Sequence, residues 1–400
     1  MKKTIILGLI FALSGSVFGQ ETVDYLIKSR ALKESGKPEL SLNLLTTALN
    51  VSKDSRLYIE RAEAYLTSGN LNAAISDFND ANLIAPASGE YGLSRVYATK
   101  GDAATSLYHL ERNLNSTYRK GEKEILLDPS FGVIENKPEW RQFWKKEWYT
   151  TAEKSVSEIE YYISAGKIDE SKDVLSELKK ADHNSDEISY AEALISMASG
   201  KYADVVRVIS ALLISDPQNE KYLRILAKVQ ALSANAAGAS VTYSQLLNSG
   251  VADAELLMLR ADCYRKTGET DKAMTDLVKY LSYYPENKTA LSLAGKVESA
   301  EGDNIKALEY FNTNLRIHPN DAECYIDRAN SYFVSKSWDW AIKDYSMSLD
   351  LNPGNSDIWL NKAISLLNSG KLEDACHDFK ESFSLGNKKA SEYISRNCIK

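Results

Sequence analysis

The 400-residue chain is poor in the side chains that build catalytic and metal centres, with only four histidines and four cysteines. His109, His183, His318 and His377 share no spacing with one another or with other ligand types, and no HExxH, paired CxxC or EF-hand pattern occurs. That excludes the usual motif-borne metal sites. No GxSxG, P-loop or GxGxxG sequence opens after a strand-like run, so no nucleophile elbow or phosphate cradle is present and no cofactor is expected. Positive charge is not in excess: 48 Lys and Arg face 55 Asp and Glu, a net charge of −7. Such a balance disfavours non-specific binding to nucleic acid or to anionic membranes. Past the N-terminus no stretch approaches the 18 apolar residues of a spanning helix, so no transmembrane segment is expected.

The N-terminus has a character of its own. Lys2 and Lys3 precede an apolar run from Thr4 to Leu13, and Val17 with Gly19 mark a small-residue cleavage site. Residues 1–19 read as an export leader whose core is too short to cross a bilayer. Cleavage after Gly19 leaves Gln20 first, where a lipoprotein anchor needs cysteine. Without Lys2 and Lys3 the chain carries 46 basic and 55 acidic residues, a net charge of −9. The expectation is a soluble exported protein, periplasmic or secreted, and not a lipoprotein.

What the chain does hold is a period. Residues 322–355 contain two short amphipathic patterns: Tyr325, Ala329 and Tyr332, then Trp338, Ala341, Tyr345 and Leu349. Pro353 ends the pair, because its ring removes an N–H and bars the preceding residue from the helix. From Ala152 the spacing is strict, with units opening at Ala152, Asp186, Glu220, Ala254, Lys288, Ala322 and Ser356, 34 residues apart. A turn glycine recurs as Gly166, Gly200, Gly268, Gly302 and Gly370, and a small residue as Ala239, Ala273, Ala307, Ala341 and Ala375. The terminal proline recurs as Pro217, Pro285, Pro319 and Pro353. Unit 220–253 departs, with Ala234 for the turn glycine and Val251 for the proline, so its geometry is expected to differ. Earlier, residues 55–86 show Tyr58, Ala62, Tyr65, Gly69, Ala74, Phe78, Ala81 and Pro86 at the same offsets.

This aromatic, small, glycine, alanine and proline order resembles the tetratricopeptide repeat (TPR) family over most of the chain. The resemblance implies an all-α, right-handed α-solenoid of about ten helix-turn-helix units. Units one to three fill 20–118, and a Trp-rich helical insertion or degenerate repeat fills 119–151. Units four to ten fill 152–387, and a capping helix over 388–400 covers the last apolar face. It further implies a non-catalytic scaffold that binds protein or peptide partners in a groove lined by the first helix of each unit, helix A. Carrying helix A positions onto this chain brings out a basic stretch, Lys221, Arg224, Lys228, Arg265, Lys266 and Lys296, beside an apolar one, Tyr190, Leu194 and Met197. Together they would suit an extended peptide with acidic or C-terminal carboxylate groups. The family's carboxylate clamp pairs Lys with Asn on successive helices A; only fragments such as Asn330 and Asn361 are present.

Two further features stand out. Asn136 and Pro138 would open a helix on which Trp140, Trp144 and Trp148 form one ridge. That ridge either fills the junction where the period breaks or offers an exposed aromatic anchor. Exposed, it would also support an alternative function: a periplasmic receptor or regulator binding a cell-wall glycan or oligopeptide. Cys376 and Cys398 lie equidistant from the turn Gly386–Asn387, so an antiparallel hairpin would set them face to face. A disulfide there closes 23 residues and contributes about 3 kcal/mol; the other reading is two free thiols, with His377 beside Cys376. Cys263 and Cys324, two units apart, are expected to be core thiols.

Overall fold

The computed structural model of the chain describes residues 21–181 and 185–398, so the expected leader, 1–19, and His183 lie outside the described residues. The chain divides into two compact units, one ending at Ala254 and one beginning at Glu255. Every regular element among the described residues is helical.

In the first unit a helix over residues 21–34 (α1) pairs with α2 (Pro38–Val51), α3 (Ser55–Thr67) with α4 (Leu71–Ile84), and α5 (Glu90–Thr99) with α6 (Ala103–Leu114). An irregular segment follows: α7 (Glu122–Leu126), a 3-10 turn (Pro129–Val133) and α8 (Pro138–Phe143). Three hairpins complete the unit: α9 (Thr151–Ser164) with α10 (Ile168–Ala181), α11 (Asp186–Ala198) with α12 (Tyr202–Ser215), and α13 (Glu220–Leu232) with α14 (Ala236–Asn248). The second unit pairs α15 (Glu255–Thr267) with α16 (Thr270–Tyr283), α17 (Lys288–Glu301) with α18 (Asn304–Ile317), and α19 (Ala322–Val334) with α20 (Trp338–Leu351). It ends with α21 (Ser356–Asn368), α22 (Leu372–Ser384) and the short α23 (Ala390–Asn397).

Each hairpin is punctuated by side chains with a physical role. Asn219, Asn287, Asp321 and Asn355, spaced by multiples of 34 residues, each accept a bond from a backbone N–H of the helix A they precede. Each such cap contributes about 1 kcal/mol. The turn between the two helices needs one left-handed residue, and Gly69, Gly200, Gly268, Gly302 and Gly370 supply it at φ between 71° and 85°. Ala234 and Lys336 take that conformation at φ 60° and 57°. Ala74, Ala239, Ala273, Ala307, Ala341 and Ala375 are fully buried, which lets paired helices approach.

The segment after α6 departs from the expected single helix. Pro138 is its first residue, but Lys137 rather than Asn136 is the N-cap, with no side-chain cap bond. The helix then stops at Phe143, because Trp148 folds back on it. The indole N–H of Trp148 donates to the Phe143 carbonyl at 3.0 Å, and the two rings stack at 4.6 Å. Trp140, Trp144 and Trp148 therefore form no ridge. Trp140 is 7% exposed, and Trp144 and Trp148 pack half-buried around the same cluster as Phe131, Ile125 and Leu110.

At the other end, Cys376 and Cys398 are joined in a disulfide with Cα atoms 5.5 Å apart. Tyr393 stacks on Phe379 at 4.9 Å and Ala390 is fully buried, so α23 covers the apolar face of the last hairpin. Cys263 and Cys324 are buried free thiols.

Candidate functional site

The helix A face of the first unit carries two neighbouring clefts. One, about 400 Å³, lies between the starts of α9, α11 and α13 and the turn 119–122. Tyr149, Tyr190 and Tyr222 supply its aromatic surface. Four cations, Arg119, Lys120, Lys154 and Lys221, face four carboxylates, Glu122, Glu153, Glu160 and Glu187, so the cleft has no net sign. The second, about 480 Å³, is lined by Ile59, Glu63, Tyr91, Arg95, Tyr118, Glu124 and Asp128. Lys120 belongs to both.

The irregular segment builds the partition between them. The backbone N–H of Lys120 donates to Asn113 Oδ1 at 3.1 Å, its carbonyl accepts from Tyr149 Oη at 2.7 Å, and its ammonium pairs with Glu124 at 2.8 Å. Arg119 lies 4.4 Å over the Tyr149 ring, pairs with Glu153 at 3.0 Å and donates to the Trp148 carbonyl. Burial pushes the Tyr149 phenol up to about 12, partly offset by Arg119, so the ring stays neutral and acts as a platform and donor. Tyr190 is raised too, first by burial and then by Glu160, to which its hydroxyl donates at 3.4 Å. Lys221 sits 3.8 Å from the Tyr190 ring and 3.5 Å from Glu160.

The expected basic stretch is not an open patch. Arg224 pairs with Glu220 and Asp253, Arg265 and Lys266 both pair with Asp262, and Lys296 pairs with Asp327. Lys221, Arg224 and Lys228 belong to the first unit and Arg265, Lys266 and Lys296 to the second. Lys228 is exposed. Arg265 and Lys266 are neutralised within their own helix, and Lys296 by the repeat itself: residues about 30 positions apart sit side by side on consecutive helices A, and opposite charges there neutralise one another. Arg30–Glu60 and Glu63–Arg95 follow the same rule. The apolar stretch is mostly core, with Tyr190 5% and Leu194 9% exposed and Met197 packed partly buried against them. Only Tyr190 and Lys221 of the expected set line the cleft. Asn330 accepts from Tyr345 Oη at 2.7 Å, so it serves the core of its hairpin.

Sequence reasoning missed Arg119, Lys120, Tyr149 and Glu153, because the segment that holds them breaks the period from which positions were carried over. It also missed a regular signal. A cation on helix A and an aspartate 16 residues later pair across the hairpin as Arg61–Asp77, Arg260–Asp276, Arg328–Asp344 and Lys362–Asp378. The three arginines each donate from both Nε and Nη2, at 2.6–2.8 Å, onto nearly buried carboxylates. These pairs hold the fold, and none of them lines either cleft. Among the described residues no three His, Cys, Asp or Glu side chains converge to hold a metal ion, and no helix is long and apolar enough to cross a membrane.

Comparison with known proteins agrees with this architecture. Tetratricopeptide repeat family models match residues 55–88, 254–287 and 345–377, the last phased on α20 and α21 rather than on a hairpin. A tetratricopeptide repeat and J domain-containing co-chaperone of Cryptococcus neoformans is 21% identical over 92% of this chain and 76% of its own length. Human tetratricopeptide repeat protein 13 is 23% identical over 50% of this chain, and the match spans only 20% of the human protein. A DnaJ homolog subfamily C member 7 homolog of Schizosaccharomyces pombe is 26% identical, and 30% of it is spanned. Among solved structures, a tetratricopeptide repeat protein of Parabacteroides merdae superposes with a TM-score of 0.51 at 19% identity, covering 62% of this chain and 99% of that one. With the period, the hairpins, the left-handed turns and the three matched repeats in hand, the chain belongs to the tetratricopeptide repeat family.

Proposed function

We propose that the protein is an exported, non-catalytic interaction scaffold that binds an extended segment of a protein partner on the helix A face of its first unit. The observation that carries this reading is the cleft of about 400 Å³ whose three tyrosines stand among equal numbers of cations and carboxylates. Aromatic rings with a polar tip give contact area and hydrogen bonds at little entropic cost. Balanced charge suits a peptide of mixed character and not a polyanion. The acidic chain as a whole repels nucleic acid. The glycan reading finds no support here, since its platform of three tryptophans is committed to internal packing.

A photo-crosslinking residue placed at Ser157, on the rim of the cleft, tests the surface in cells. A second one at Ile214, 82% exposed on α12, serves as control. Capture of a defined protein from Ser157, lost when Lys221→Glu is added, is the expected result. Capture only from Ile214 would sink the proposal. Export is tested separately by N-terminal sequencing of the purified protein: a start at Gln20 is expected, and a start at Met1 would refute it.

A further inference from the structure

Unit 220–253 leaves its second helix differently from the units that a proline closes. After α12, α16, α18 and α20 the next residue has a negative φ, of −132°, −125°, −121° and −144°, and a proline follows it. At the corresponding place stand Gly250, at φ 84°, and Val251. The left-handed glycine turns the chain away, and without proline the segment is free to run elsewhere.

It runs onto the first two hairpins of the same unit. Arg56 Nη1 donates to the Gly250 carbonyl at 2.9 Å, and Arg30 Nη1 donates to the Ala252 carbonyl at 2.6 Å. Between them Ala252 packs on the apolar cluster of Leu26, Leu45 and Leu57. Both guanidiniums are held in place from behind. Glu60 fixes Arg30 at 2.8 Å and Asp54 fixes Arg56 at 2.8 Å. Arg224 anchors the far side of the segment through Asp253 at 2.8 Å. Two planar forks held by carboxylates read the two carbonyls without reference to side chains.

We propose that Arg30 and Arg56 form a backbone-reading site whose occupant is the chain's own Gly250–Ala252, and that this clasp closes the first unit upon itself. Intramolecular attachment keeps the occupant at high effective concentration. The two arginine side chains remain 43% and 41% exposed, so water and salt weaken each contact and the clasp can open without unfolding the hairpins.

Two measurements on the full chain test this. Spin labels at Leu40 and Leu232, both exposed and one at each side of the closure, should report a single narrow distance. Arg30→Ala with Arg56→Ala should broaden and lengthen it. Because loss of both arginines also strips Glu60 and Asp54 of their ion pairs, Ala252→Lys is the second variant: it leaves the first hairpins intact and sets an ammonium beside two guanidiniums. A labelled peptide of residues 247–255 should bind the Ala252→Lys chain at least tenfold tighter than the parent, and Arg30→Ala with Arg56→Ala should abolish that gain. An unchanged distance in both variants, or a peptide gain that survives loss of the arginines, would overturn the clasp.

Discussion

Lys336 holds the turn between α19 and α20 at φ 57°, where the equivalent residues of its neighbours, Gly302 and Gly370, stand at 85° and 82°. A Cβ in this region costs about 1–2 kcal/mol, partly returned because glycine loses more freedom on folding. Lys336→Gly should therefore raise stability by about 0.5–1 kcal/mol, seen as a higher urea midpoint of the second unit. Gly92 is the opposite case. A Cβ there would lie 2.2 Å from the ring of Phe78, which is 1% exposed and cannot withdraw. Gly92→Ala should cost about 1–3 kcal/mol through overpacking. Glu90 is a buried carboxylate bound by His109 Nδ1 at 2.6 Å and Arg112 Nε at 2.8 Å. Burial raises its pKa, but the two hydrogen bonds outweigh burial and hold it below the ordinary value. Its contribution is thus present above the unfolded pKa, about 4.3, and is lost as pH falls through the lower folded value. Glu90→Gln should cost about 1–2 kcal/mol at pH 7 and flatten the fall in urea midpoint on acidification below about pH 4. An unchanged acid limb would show that the pair contributes nothing.

At the scale of the helical hairpin, the recurring bidentate pairs and the terminal disulfide are the testable devices. Asp344 is 1% exposed and receives both Nε and Nη2 of Arg328. Removing one partner strands the other, so Asp344→Ala should cost about 3 kcal/mol, whereas replacing both by apolar residues should cost much less. A double-mutant cycle on thermal melting separates the two outcomes. Thiol counting tests the C-terminal hairpin. Burial pushes the Cys324 thiol up to about 11 and raises Cys263 as well, so neither should react quickly with a thiol reagent at pH 8 in the folded chain. Unfolding should release two thiols, and reduction all four. Four without reduction would remove the bond between Cys376 and Cys398.

At the scale of the whole molecule, some ion pairs join separate helices A, as Lys296–Asp327 joins α17 to α19 and Lys221–Glu160 joins α13 to α9. Lys221 pairs with Glu160 across the cleft at 3.5 Å with both side chains about half exposed. Such a pair contributes less than about 1 kcal/mol. Lys221→Glu should therefore leave the melting temperature within a few degrees of the parent while abolishing partner capture at Ser157. Loss of both together would mean that the residue is structural.

The sequence alone determined the hairpin, because its determinants are local. The 34-residue period, the turn glycines, the small residues of the second helices and the closing prolines each act within a few residues of themselves, and the helices start and stop accordingly. The deviation at Ala234 and Val251 was legible for the same reason. What only tertiary structure decided was which side chains meet. Whether Lys296 is a free cation depends on Asp327, 31 residues away on another helix, and whether Trp148 extends a ridge depends on its fold back to Phe143. The closure of Gly250 and Ala252 on Arg56 and Arg30 joins residues about 200 positions apart. No pattern of short period encodes a contact of that range, because it is fixed by the summed rotation of the hairpins between.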